Sequence, residues 1–264
     1  MNAGGRLAIA LVTMVLAGCA ARAPMRPAGS AAPDPGAADA FVQATKPCAG
    51  LKTMTGALHL SGRAGSEKIR GTLHTGLEAP AAVRFEAIAP FGQPFFILAG
   101  RDDRASLLLP RDNRILTDAS VPELLERLTG LSLGAGDLRL ILTGCLVERA
   151  EPSDGRSWSG GWRAVNVGTG VTAYLKTVNA APAVVAADRG PWRIDYSAHQ
   201  NGWPRTVRIR SSGTGAQIDI TAAIEELEVN TAIDAKAFTI DTPAGAAPMT
   251  IDELRSVQPL KGSD

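Results

Sequence analysis

The chain has 264 residues, of which 45% are hydrophobic and 20% charged, enough for the core of one domain or two small ones. Lys and Arg number 27 and Asp and Glu 26, so the formal charge is only +1. This balance, without any basic run, excludes a dedicated nucleic-acid-binding protein. The three histidines, His59, His74 and His199, are far apart in the sequence and offer little for a metal site or a histidine-based catalyst.

The N-terminus has the pattern of an export signal. Arg6 precedes an apolar run over 7–16, which is too short to span a hydrocarbon core of ~30 Å as a helix. The motif Leu16-Ala17-Gly18-Cys19 follows, with the small residues expected before a cleavage site. A cysteine directly after Leu-Ala-Gly is the lipobox arrangement, in which the thiol is acylated and becomes the first mature residue. The alternative is an ordinary signal peptide with a chance cysteine.

We therefore predict a signal peptide over 1–18 and lipidation of Cys19, whose acyl chains would together hold the protein firmly at a membrane. Ala20, rather than an acidic residue, follows the cysteine. By resemblance to bacterial lipoproteins, this favours a lipid-anchored, periplasm-facing protein of the cell outer membrane. Residues 19–47, the lipidated cysteine and a stretch of Ala, Pro and Gly, are predicted to be a flexible tether.

The body, predicted as one domain over 48–258 with a tail over 259–264, has a dominant hydrophobic period of two. Leu58 and Leu60 alternate with polar residues, as do Val83 and Phe85, which is typical of half-buried strands. Regular strand-turn-strand spacing favours an antiparallel sheet that closes towards a barrel. Further candidate strands lie at 94–99, 104–109, 113–117, 145–150, 157–165, 171–178, 183–187, 191–198, 204–211 and 215–229.

Helical signals are confined to three places. Ser120 to Glu123 reads as a capping box with a proline in the first turn, and the helix it starts would end at Gly130. A second short helix is predicted over 136–143. A second capping box, Thr250 to Glu253, predicts a helix near the C-terminus.

Two cysteines remain after lipidation, Cys48 and Cys145. An exported protein lies in an oxidising compartment, so a disulfide between them is one interpretation and two separately buried thiols the other. Neither cysteine has a second ligand at the spacing of a metal site.

One segment, residues 83–144, carries a resemblance to a known family. It reads as a strand, a Pro-apolar-Gly turn (Pro90, Phe91, Gly92), a strand, an acidic turn, two further strands, a Leu-rich helix and a second helix ending at Gly144. This order is similar to the central part of LolB, and more loosely to LolA, in the lipoprotein-sorting superfamily. The resemblance implies a mainly β fold, an incomplete (half-open) antiparallel β-barrel with short lid helices, around an apolar cavity that takes acyl chains.

The resemblance also implies roles for particular residues. In the family, a loop at the position of Pro90, Phe91 and Gly92 protrudes and contacts the membrane, whereas the alternative here is that Phe91 packs in the core with Phe95 and Phe96. The apolar residues of the two helices are predicted either to cover the cavity as a lid or to fill it as ordinary core: Leu124, Leu125, Leu128, Leu138, Ile141 and Leu142.

No catalytic motif stands out: the chain has no His-Glu-x-x-His, P-loop or Gly-x-Gly-x-x-Gly sequence. We expect a non-enzymatic protein without cofactor or metal, whose partners are the lipid membrane and acylated lipoprotein or lipid cargo, delivered by a periplasmic LolA-type donor. The expected function is to bind acyl chains and aid insertion of lipoproteins into the outer membrane. The alternatives are a carrier of glycolipid or phospholipid, and a structural or assembly lipoprotein that docks a protein partner.

Overall fold

The computed structural model describes residues 26–88, 94–213, 217–257 and 260. Within these residues the fold is mainly β, with a single sheet that does not close into a barrel. This confirms the expected half-open antiparallel architecture with few short helices. The strands are β1 (Ala32–Pro33), β2 (Thr53–Ala64), β3 (Glu67–Glu78), β4 (Ala82–Ile88), β5 (Phe96–Arg101), β6 (Arg104–Leu109), β7 (Arg114–Ser120), β8 (Ser153–Trp158), β9 (Trp162–Gly168), β10 (Val171–Val178), β11 (Ala181–Arg189), β12 (Trp192–Ser197), β13 (Thr206–Ser211), β14 (Ile218–Val229) and β15 (Ala247–Pro248).

The described helices are few and short. They are α1 (Gly36–Ala44), α2 (Val121–Thr129), α3 (Ala135–Thr143) and α4 (Ile251–Val257), with 3₁₀ turns at Lys46–Cys48, Ser159–Gly161 and Ala235–Phe238. In the described part of the chain, no helix is long and apolar enough to cross a membrane.

The strand order is β1-β8-β9-β10-β11-β12-β13-β14-β2-β3-β4-β5-β6-β7-β15. Neighbouring strands are antiparallel except for the two-residue β15, which pairs parallel to β7. The sheet thus consists of two runs of consecutive antiparallel strands, β8–β14 and β2–β7, joined where β14 pairs with the first strand of the other run. Alternation along the strands directs the apolar side chains to one face, and most of the buried core lies on that inner face.

The predicted flexible tether, 19–47, is wrong over its described part: Arg26 is bound by Asp188 and Asp195, and 32–48 forms β1, α1 and a 3₁₀ turn. Helix α1 buries Ala37, Ala40 and Phe41 and packs on β8, β9, β10 and β11. Small side chains allow this close approach: a Cβ on Gly155 of β8 would lie 2.1 Å from the carbonyl oxygen of Asp34. The segment therefore folds through tight packing of alanines around one phenyl ring, which its low content of large apolar residues did not reveal.

Three other boundaries differ from those predicted. Residues 145–150 are not a strand: the chain leaves α3 through Gly144 at φ +76°, and Leu146 also has a positive φ of 68°. The candidate 157–165 is two strands, β8 and β9, separated by the glycine turn at 159–161. Leu260, assigned to the tail, is buried, and its carbonyl accepts the N–H of Arg70 at 3.1 Å.

Candidate functional site

Helices α2 and α3 lie against the inner face of the sheet where the sequence predicts them. Each helix ends at a glycine in the left-handed conformation, Gly130 at φ +78° and Gly144 at φ +76°. The predicted capping box at Ser120 is not formed, because the Ser120 side chain makes no capping hydrogen bond. The predicted box at Thr250 is formed: Thr250 N–H donates to Glu253 Oε2 at 2.8 Å, and Glu253 N–H donates to Thr250 Oγ1 at 3.4 Å.

One turn residue holds the start of both helices. Asp103, in the β5–β6 turn, accepts the N–H of Val121 through its carbonyl oxygen at 2.9 Å. Its carboxylate Oδ1 accepts the N–H of Ala135 at 2.8 Å. Asp103 therefore satisfies backbone donors at both helix N-termini, which otherwise lack partners within the helix. The sequence indicated only a turn at this residue.

A small apolar cavity lies between the two helices and the sheet, with a volume of about 70 Å³. Among its described lining residues, Thr129 alone has a polar side chain, and its hydroxyl donates to the carbonyl oxygen of Leu125 at 2.8 Å, so the donor is already satisfied inside α2. The described lining thus suits hydrocarbon and contains no charged side chain. Its lining is Leu58, Leu60, Leu73, Phe85, Leu125, Thr129, Leu131, Leu138, Leu142, Val207, Ile209, Ile220 and Ala222.

The six predicted lid residues are all buried, but they divide into two groups. Leu125, Leu138 and Leu142 line the cavity. Leu124, Leu128 and Ile141 pack in the surrounding core without lining it. The sequence could not separate these groups, because both consist of buried aliphatic residues on the same two helices.

The cavity is smaller than typical ligand pockets, which have volumes of ~300–1,000 Å³. An acyl chain can enter only if the helices move away from the sheet and widen it. The contacts of α2 and α3 therefore decide which part of the lid is free to move.

Helix α3 is held on its outer side by buried polar contacts and a disulfide. Arg139 is fully buried, donates to the carbonyl oxygen of Leu51 at 2.8 Å and pairs with Glu148. Cys145, two residues after α3, is bonded to Cys48, with the two Cα atoms 5.6 Å apart. The disulfide packs in a small cluster with Leu51 and Leu140. These contacts fix α3 to the segment 48–51.

Helix α2 has weaker polar contacts with its neighbours. Arg127 reaches Asp252 of α4 at 3.5 Å, and that carboxylate is 85% exposed. An exposed pair of this kind contributes at most ~1 kcal/mol. By these polar contacts, α2 is the less firmly held helix of the lid and α3 the more firmly held one.

Two of the predicted sites, Cys19 and the loop residues Pro90, Phe91 and Gly92, lie outside the described residues. Of the two phenylalanines beyond the loop, Phe96 is buried at 1% exposure whereas Phe95 is 38% exposed. The guanidinium carbon of Arg111 lies 4.5 Å from the centroid of the Phe95 ring. An exposed aromatic residue thus stands at the start of β5, close in sequence to Phe91.

Sequence reasoning missed a second, more polar pocket of about 400 Å³ between the end of α1, the β10–β11 turn and residues 199–204. Trp203 and His199 contribute rings to its lining. His199 Nε2 lies 3.0 Å from the carbonyl oxygen of Val184, and burial lowers the pKa of the imidazole. The sequence signal for this pocket was weak, because it consists of one histidine and one tryptophan, His199 and Trp203, within five residues of a loop.

The described geometry defines a class of protein: an open antiparallel sheet whose inner face, covered by short helices, encloses an apolar cavity.

No protein-family model and no curated protein matches the chain. Similar solved structures include a putative outer membrane lipoprotein-sorting protein domain from Vibrio parahaemolyticus, 12% identical with a TM-score of 0.48, covering 76% of this chain and 97% of that one. A LolA superfamily protein from Nitrosomonas europaea is 9% identical with a TM-score of 0.45, covering 77% of this chain and 97% of its own. A DUF1329 family protein from Desulfovibrio piger is 12% identical with a TM-score of 0.49, covering 77% and 96%.

Proposed function

We propose that this chain is an outer-membrane lipoprotein, lipidated at Cys19, that binds acyl chains beneath α2 and helps insert acylated lipoproteins into the membrane. The observation that supports the proposal is the apolar cavity of about 70 Å³ under the two helices, whose described lining residues include a single polar side chain, satisfied inside α2. Transfer would require only affinity: cargo leaves a weaker apolar site of a LolA-type donor, enters this one and passes to the bilayer. No catalytic group takes part in this proposal.

Hydrophobic burial supplies the driving force. Each methylene removed from water contributes ~0.8 kcal/mol of favourable free energy. An acyl chain would gain this for every methylene that enters the cavity once α2 has moved. Moving α2 exposes leucines that are now buried, and the bound chain covers them again. The net affinity for cargo is therefore the free energy gained by burying the acyl chain minus the cost of moving α2. This reduced affinity allows the site to release its cargo to a bilayer.

A matched pair of substitutions on β14 tests the proposal. Ala222 lines the cavity, whereas the next residue, Ala223, points to the opposite face and is half-buried. Ala222→Leu should fill much of the space and weaken binding of a fluorescent palmitate analogue at least tenfold, with little change in Tm. Ala223→Leu should leave binding unchanged. Equal binding by both variants would refute the cavity as the acyl site.

The small volume favours a second candidate, a structural or assembly lipoprotein whose half-barrel is filled by its own side chains and which docks a protein partner. Native mass spectrometry of protein purified from membranes in mild detergent distinguishes the candidates. Bound acylated lipoprotein supports the first; bound phospholipid or glycolipid points to a lipid carrier with the same fold; an empty protein supports the structural role.

A further inference from the structure

The described N-terminal segment runs across the outer face of the sheet. Ala32 pairs with Ser157 of the edge strand β8, and the indole N–H of Trp158 donates to the carbonyl oxygen of Gly29 at 3.2 Å. From there the segment reaches β11 and β12, where Arg26 is bound. On this outer face, Ala186 of β11 is fully buried.

Arg26 is held by a dense set of contacts on these strands. Its guanidinium donates to Asp195 Oδ1 at 2.6 Å and to Asp188 Oδ1 at 3.0 Å. It also donates to the carbonyl oxygens of Ala187 at 2.8 Å and Ile194 at 3.2 Å. The Asp195 carboxylate is only 3% exposed. Loss of Arg26 would therefore leave this buried carboxylate with one cationic partner fewer. This segment is therefore docked.

The docking face is opposite the cavity. On β13, Val207 and Ile209 line the cavity, while Arg208 and Arg210 point to the outer face. There Arg210 donates to Asp195 Oδ2 at 2.5 Å, the same carboxylate that binds Arg26. Arg26 and the lid helices thus lie on the two different faces of one sheet.

Docking shortens the reach of the lipid anchor. Cys19 lies seven residues before Arg26 and thirteen before Ala32. Seven residues span at most ~25 Å, against ~45 Å for thirteen. An acyl chain on Cys19 therefore keeps the β11–β12 face within a short distance of the lipid headgroups.

We propose that Arg26, by docking on Asp188 and Asp195, orients the protein so that the outer face of β11–β13 lies against the phospholipid headgroups and the lid helices face away from them. The proposal rests on the acylation of Cys19 in the proposed function. The exposed guanidinium of Arg193, on β12, is placed to meet headgroup phosphates. Cargo would then reach α2 from the aqueous side.

Fluorescence quenching in vesicles tests the orientation. The acylated protein is reconstituted in phosphatidylethanolamine–phosphatidylglycerol vesicles that carry a headgroup quencher. One fluorophore is attached through Arg193→Cys on the outer face, or through Glu126→Cys on the exposed side of α2. We expect at least threefold stronger quenching at position 193 than at 126. Arg26→Ala should abolish most of the difference, whereas Arg63→Ala, which removes an equal charge from the exposed surface of β2, should preserve it.

The outcomes separate this proposal from the proposed function. A protein that does not bind vesicles refutes the anchoring and with it the orientation. A protein that binds vesicles and the palmitate analogue, but is quenched equally at both positions, refutes the orientation alone. A difference that survives Arg26→Ala shows that Arg26 does not set the orientation and also overturns the proposal.

Discussion

The buried guanidinium of Arg139 on α3 donates to the main-chain carbonyl of Leu51, three residues after Cys48, at 2.8 Å. The contact joins the fixed lid helix to the disulfide-bonded segment. Because Arg139→Met removes the donor from the carbonyl of Leu51, a residue only 7% exposed, it should reduce the free energy of unfolding by about 1–3 kcal/mol. Urea unfolding measures the loss.

Arg127→Met on α2 is the control for this substitution, since Arg127 pairs with an exposed carboxylate at 3.5 Å. Its cost should stay within ~0.5 kcal/mol. Equal losses in the two variants would contradict the distinction between a firmly held α3 and a less firmly held α2.

The Cys48–Cys145 disulfide should be present in protein isolated from the cell envelope, and it closes a separation of 97 residues. On the chain-entropy view, a loop of ~100 residues gives a stabilisation of ~4.7 kcal/mol. The double variant Cys48→Ala, Cys145→Ala should lose a large part of this, measured by urea unfolding. Alkylation without reductant, followed by peptide mass analysis, checks the bond itself, and labelling of both cysteines would show that it is absent.

Glu253 should make the stability of the α4 region sensitive to acid. The N–H of Thr250, followed by Arg114 and the Thr250 hydroxyl, lowers the pKa of this carboxyl from 4.5 to about 2. The unfolded chain therefore takes up a proton at higher pH than the folded one, so stability is full above pH ~5 and is lost as the pH falls towards ~2. Glu253→Gln should flatten this dependence, read from urea midpoints at several pH values.

Arg114→Met provides an intermediate case, because the Thr250 hydrogen bonds to Glu253 remain when Arg114 is removed. The acid dependence should then be reduced but not abolished. If the native protein and Glu253→Gln had the same pH dependence, the carboxyl would have no role in it.

Some of the fold could be predicted because its signal is local. Alternation along β13, where Val207 and Ile209 alternate with Thr206, Arg208 and Arg210, indicates a strand in any context. The folded segment with α1 could not be predicted this way, since Ala37 and Ala40 are buried through the packing of α1 on four strands that are distant in the sequence. The role of Asp103 was also hidden, because its bond to Ala135 joins residues 32 positions apart. Long-range contacts such as these determine where the helices lie on the sheet, whereas hydrophobic periodicity reveals only which segments form strands and helices.

Cys19 should carry the acyl chains, and the protein should fractionate with the outer membrane. Cys19→Ser removes the thiol that would be acylated, so this variant should appear as a soluble or signal-retaining form. Lipid labelling and membrane fractionation check the outcome. A Cys19→Ser protein that was still lipid-labelled and correctly processed would contradict both the lipidation and the anchoring.

Phe91 should contact the membrane during delivery. It lies outside the described residues, between β4, which ends at Ile88, and β5, which begins at Phe96. A phenyl ring that enters a bilayer interface gains up to ~2–3 kcal/mol from burial. Phe91→Glu should therefore impair transfer of acylated cargo into liposomes, while folding and binding of the palmitate analogue survive, because the cavity lies under α2.

Phe96→Glu is the contrasting variant, because Phe96 is 1% exposed and its substitution places a charge in the core. It should lower Tm by many degrees, whereas Phe91→Glu should leave Tm nearly unchanged. Thermal unfolding and liposome delivery are measured on the same preparations. A large loss of Tm in Phe91→Glu would show that Phe91 is a core residue. Native Tm with undiminished delivery would remove its role at the membrane, and exposed Phe95 at the start of β5 would then be the next residue to test for that contact.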